Sequence, residues 1–282
     1  MASDTSGRGS ASDEETSTTF GQARLYAFYL LVLVTLGMAA AFISELLSFS
    51  ILGWGTGGEE LGIHRLHLMT IAANAWIIIL AVAAQLYRPL KRVALMQIAF
   101  AVTVLILVAT IVGGGPVEEV IPFFVLTGLM MLFHPAGRDV LSLGEDYSPA
   151  LLGLVAVAAI PVLAFAVNQF GLQSTGDSHA VMGHYMEMAM MSIILLLTSL
   201  VAAAGAPGHR FVAWLSAGLA VYFGALSLVF PAQVSSVDIV WAAALVLWGL
   251  AFVATSELRV SGRTSLAQER PLSMPGRPRA PE

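Results

Sequence analysis

Four histidines carry the chemistry in this chain, and they come in two pairs. His64 and His67 stand at the head of the apolar run His67-Leu-Met-Thr-Ile-Ala-Ala-Asn-Ala-Trp-Ile-Ile-Ile-Leu. His179 and His184 stand before His184-Tyr-Met-Glu-Met-Ala-Met-Met-Ser-Ile-Ile-Leu-Leu-Leu. His67 and His184, Met69 and Met186, Ala72 and Ala189, Ile77 and Ile194, and Leu80 and Leu197 all coincide at one offset of 117 residues. An ionisable side chain within a membrane span is costly, which makes it a functional candidate by default. Neutral imidazole is a ligand for iron, copper and zinc without help from thiolate. Two imidazoles facing each other across a helix bundle would suit a six-coordinate haem b.

The neighbours of these histidines suggest supporting roles. Asn74 lies two helical turns below His67, and Glu187 shares a face with His184, three residues away. Glu187 is placed to fix an imidazole tautomer by accepting its N–H. The methionines Met182, Met186, Met188, Met190 and Met191, with His179 and His184, form a nitrogen and thioether set suited to copper. They equally suit a plain apolar core. Histidines at span ends also have a plain reading, as polar residues resting in the headgroup zone. His134 and His209 are read in that way.

The elements that must position these groups are membrane helices. Apolar residues make up 57% of the 282, and 11% are charged, against roughly a quarter in soluble domains. Uncharged runs near the ~20 residues needed to cross a bilayer recur along the chain, and backbone in lipid must satisfy itself, so the runs are helical. The expected fold is an all-α polytopic membrane protein with eight spans, over 25–46, 66–87, 93–115, 120–141, 150–170, 181–203, 211–231 and 238–257. The offset covers four spans, an even number, which predicts a parallel 4+4 internal duplication. The expected organisation is a disordered cytoplasmic tail at 1–22, membrane repeats at 23–145 and 146–258, and a second disordered tail at 259–282.

Of thirteen Lys and Arg residues, all but Arg65 fall on one side of these spans. The positive-inside rule then places both termini in the cytoplasm of a plasma-membrane protein. The four paired histidines, with Glu45, Glu59, Glu60, Glu118, Glu119, Asp177 and Asp238, fall on the outer side. His134 and His209 fall on the inner side. The chain has no cysteine, which excludes disulfides, thiolate-bound zinc, iron–sulfur clusters and covalent c-type haem. There is no Gly-x-Ser-x-Gly, no His-Glu-x-x-His and no phosphate-cradling glycine loop. Nothing points to nucleic acid.

The stretch Gly62-Ile-His64-Arg-Leu-His67-Leu-Met69, closing on Tyr87-Arg-Pro89, resembles the haem-ligand helix of the haem-copper oxidase catalytic-subunit superfamily. It is most similar to the small nitric-oxide-reductase-like and oxidase-subunit-I-like membrane proteins. The resemblance implies an integral membrane haem b protein in electron transfer, an oxidoreductase if it turns over, with quinol or another redox protein as partner. It assigns axial ligation to His67 and, through the repeat, to His184. Glu187 and Asn74 would support the haem. No adjacent His-His pair and no histidine with a nearby tyrosine for a copper centre are present, so an oxygen-reducing binuclear site is not expected. The duplicated eight-span plan is also similar to that of haem A synthases, although Glu60 and His64 are spaced one residue too far for the Glu-x-x-His motif. Two other functions fit the residues: a multi-pass transporter or channel, and an outward-facing copper or zinc protein bound by His64, His67, His179 and His184.

Overall fold

A computed structural model describes residues 9–55 and 61–268, with side chains from 21–55 and 61–259. Glu59, Glu60 and the outer parts of both expected tails lie outside the described residues. The described chain is helical throughout. The helices are α1 (Gly9–Phe42), α2 (Ser44–Leu52), α3 (Arg65–Ala83), α4 (Val93–Gly113), α5 (Val117–Phe133), α6 (Pro149–Leu172), α7 (Ser178–Val181), α8 (His184–Ala204), α9 (His209–Val229) and α10 (Ile239–Gln268). Backbone at 9–22 and 259–268, expected as tail, continues α1 and α10.

Seven of these helices are long and apolar enough to cross a membrane, with mean hydropathies from 1.8 to 2.7. α5 falls outside that set because it has only 17 residues; Glu118 and Glu119 stand in its first turn. It nevertheless runs alongside α1 and α4. The Arg24 side chain, near the start of the apolar part of α1, donates to the carbonyls of Leu132 and His134 at 3.0 and 2.9 Å, at the far end of α5. Carbonyls in the last turn of a helix run out of intrahelical partners, and an arginine is a good substitute for one; that of His134 also accepts the Gly137 N–H at 2.9 Å.

Packing follows a simple plan. α3 and α5 each touch α1 and α4, which makes one group of four. α6 and α9 each touch α8 and α10, which makes another. The groups meet where α3 and α4 pack on α8 and α9. Burial follows that plan: 72% of the most apolar window of α8 is covered by protein, against 22% for α10. A main apolar core runs through both groups, from Phe28 and Met96 to Met188 and Phe223, with a smaller cluster of Ala39, Leu47, Ala75, Ile79 and Phe123 beside it.

Close approaches use glycine. A Cβ on Gly249 of α10 would stand 2.8 Å from the Ala217 carbonyl of α9, and one on Gly224 would stand 2.7 Å from that of Ala242. Small residues at helix contacts replace the hydrophobic drive that lipid cannot supply. Gly183 is the residue just before α8, with φ of 77°. Glycine takes that left-handed turn without steric cost, and here it aims the first residue of α8, His184, back into the bundle.

Candidate functional site

All four paired histidines meet at one end of the bundle. They come from three elements: His64 as the N-cap of α3 and His67 in its first turn, His179 in the short α7, and His184 at the first position of α8. His67, His179 and His184 are buried and His64 is partly so. Ring centres of His64 lie 4.6 Å from His179 and 4.9 Å from His184; those of His67 lie 4.8 and 5.2 Å from the same two. The His179–His184 separation is 6.1 Å. The four imidazoles thus close into a ring of their own, each beside two others. The Nδ1 atoms of His64 and His184 approach to 3.2 Å.

The outer nitrogens are tied to the protein. The Ser235 hydroxyl donates to Gln169 Oε1 at 2.6 Å. Its oxygen is therefore free to accept from His67 Nε2, 3.0 Å away. His67 is thereby held with its hydrogen on Nε2, and its Nδ1 is buried with no partner. His179 Nε2 donates to the Ile63 carbonyl at 3.1 Å, which leaves its Nδ1 lone pair free, 3.9 Å from Asp177 Oδ1. Tautomer fixing of this kind, one nitrogen anchored and the other bare, is what surrounds a metal-ligating histidine.

Asp177 has two tasks. It caps α7 by accepting the backbone N–H groups of His179 and Ala180, both at 2.9 Å. It also accepts the Tyr185 hydroxyl at 2.9 Å, and Tyr185 sets its ring edge against His67 at 5.9 Å. The Ala180 N–H first, with Tyr185, Thr175 and His179, holds the Asp177 carboxyl below its ordinary range. Arg65 closes the same end from outside, donating to the Gly53 carbonyl at 2.7 Å and lying 4.3 Å over the Phe230 ring.

The remaining candidates lie elsewhere. Asn74 and Glu187 are not hydrogen-bonded to an imidazole; both line an apolar cavity deeper in the bundle, between α3, α4, α5 and α8. Seven residues along α3 amount to about 10 Å of rise, too far for an amide to reach back to His67. His134 is fully buried at the opposite end, against Phe28 and Gln85, and is a core residue rather than an interfacial one. His209 begins α9 and lies 3.2 Å from the Ala206 carbonyl. Of the methionines, Met186, Met188 and Met191 are buried in the helix core, Met182 and Met190 line the cavity, and none extends the imidazole ring.

Sequence spacing gives no hint of Ser235. It sits in the loop between α9 and α10 with φ of 67°, and only the fold brings it to His67 across 168 positions. Asp177 is legible as a cap two residues before a histidine, though its link to Tyr185 is not. No protein-family model, curated protein or solved structure matches this chain.

Proposed function

We propose that this chain is a polytopic membrane protein that binds one copper or zinc ion through His64, His67, His179 and His184. One observation carries the reading: four imidazoles from three elements lie against one another, and in His67 and His179 one ring nitrogen is anchored while the other makes no hydrogen bond. Imidazoles holding one tetrahedral ion at about 2.0 Å place their ring centres roughly 5 Å apart; four pairs in this cluster have that spacing, and His179–His184 is wider at 6.1 Å. Among the described residues no three such groups already converge on a single metal position. Ring rotation about the anchored nitrogens would have to supply that convergence. An all-nitrogen set favours copper(II) or zinc over copper(I), which prefers sulfur.

The haem b implied by the oxidase resemblance fits the cluster less well. His67 and His184 are stacked face to face, tilted by 18°. Axial ligands instead point their nitrogens at an iron from opposite sides of a porphyrin plane. Opening a slot of that thickness would have to part α3 from α8, which are in contact. A Cβ on Gly113, the last residue of α4, would already lie 3.3 Å from Gly183, just before α8, so α4 and α8 meet closely at that point.

In the same proposal α5 is an eighth span. The two groups of four helices are then parallel repeats, with α3 and α4 answering to α8 and α9. Matching neighbours in each group support this, as does the shared His67/His184 register. The histidine end faces outward by the distribution of basic residues.

The test is elemental analysis and a visible spectrum of the detergent-purified protein from cells supplied with copper, zinc and haem. The expected result is close to one copper or zinc per chain and no Soret band. The metal should be lost when His67 and His184 are both changed to Ala. A Soret band abolished by the same changes would restore the haem reading and overturn this one, as would a wild-type protein that takes up neither metal.

A further inference from the structure

We propose that the cavity between α3, α4, α5 and α8 is a binding site for an apolar, single-chain molecule whose head group donates hydrogen bonds. The cavity holds about 190 Å³ and is open at its rim. Its walls are largely aliphatic and aromatic, with Ile71, Ile78, Ile106, Phe123 and Ile194 among them. An apolar void of about 150 Å³ already takes a small apolar ligand, the open rim leaves room for a chain to extend outward, and the few polar groups inside decide the ligand's orientation.

Those polar groups are unusual in their sign. Asn74 is 4% exposed, and its Oδ1 is buried in the wall with no hydrogen-bond partner. Glu187 Oε2, in the facing wall on α8, is likewise buried and unpartnered. Asn74 Oδ1 can only accept, whereas a carboxyl accepts when ionised and carries one O–H when protonated; a buried acceptor left unpaired costs about 1–3 kcal/mol. No Lys, Arg or His lines the cavity to answer them. The missing partner must therefore bring its own hydrogens, as a hydroxyl, phenol or ammonium head does. A carboxylate or phosphate head brings none at neutral pH, and it would meet the exposed Glu119 at the rim. The exposed side chains of Glu119 and Met182 stand at the histidine end of the cavity, where an amphiphile could enter. The site does not depend on a metal among the histidines.

Binding of tritiated 4-dodecylphenol to the full chain in lipid nanodiscs, with empty nanodiscs as blank, tests the proposal. Saturable binding near one per chain is expected, displaced by dodecylamine and not by dodecanoate at equal concentration. Asn74→Leu and Glu187→Leu should each weaken it at least tenfold. Ile106→Trp fills the apolar wall away from both acceptors and should abolish binding, which keeps the test open if either polar variant fails to fold. No saturable binding to the wild type would overturn the proposal. So would equal displacement by dodecanoate, or binding unchanged by Ile106→Trp. Metal content of the same preparations reports separately on the histidine cluster.

Discussion

His64 and His184 face each other Nδ1 to Nδ1 at 3.2 Å across 120 positions of sequence. A single hydrogen can lie between two such nitrogens, or a cation can replace it. The separation matches the distance between neighbouring ligand atoms around a tetrahedral ion, roughly 3.3 Å for nitrogen donors. His64 is the most exposed of the four, yet this contact makes it a full member of the cluster. His64→Ala should therefore lower zinc affinity at least 100-fold in a chelator competition, while leaving the protein monodisperse. Unchanged affinity would remove His64 from the ligand set and leave a three-histidine site.

Ser235 touches no metal in the proposed arrangement, but it decides which His67 nitrogen is bare. With Ser235→Ala the hydrogen is no longer held on Nε2, and the relay to Gln169 is broken. Loss of an outer partner of this kind costs 10–100-fold in metal affinity in known sites. That range is expected here, in the same chelator assay, with thermal stability little altered. An affinity equal to wild type would mean that packing alone orients the ring.

The fold makes a sharper demand at the α9–α10 contact. Gly249→Leu would push a side chain into the Ala217 carbonyl, whereas a Cβ on Gly218 meets nothing within 4 Å. Overpacking a tight contact costs about 1–3 kcal/mol. Gly249→Leu should therefore lower the thermal midpoint clearly and Gly218→Leu should not. Equal midpoints for the two variants would show that α10 is held by contacts other than this one.

How much of this the sequence discloses depends on the range of the interaction. Helix positions follow from runs of apolar residues, which are local, and 149–172 and 184–204 fall close to where hydropathy puts them. α5 is harder, because Glu118 and Glu119 dilute an already short run. That His64 and His67, or His184 and Glu187, stand about one turn apart is a matter of helical spacing. The convergence of the two pairs is not. It needs α3 and α8 side by side, a left-handed glycine before His184, and a loop from beyond α9 to deliver Ser235. Asn74 and Glu187 show the opposite failure: their spacing from the histidines is right in sequence, and the helical rise carries Asn74 too deep to serve them.

His134 gives the chain a predictable response to acid at the end away from the cluster. Its Nδ1 accepts the Ala136 N–H at 3.1 Å, so its hydrogen is on Nε2, pointing to Gln85 Oε1 at 3.4 Å. Burial first, and then the nearby Arg24 guanidinium, push its pKa down to about 4 from the ordinary 6.5. The unfolded chain therefore takes up a proton as pH falls through 6.5, while the folded chain resists until about 4. The stabilisation from neutral His134 is complete above pH 6.5 and drains away between 6.5 and 4, because stability falls wherever the unfolded state binds more protons. His134→Phe keeps the ring against Phe28 and removes the titration. Thermal midpoints measured from pH 7.5 to 4.5 should fall more steeply for wild type than for this variant, by the equivalent of up to one proton. Parallel curves would assign the acid sensitivity to other groups and leave His134 as packing alone.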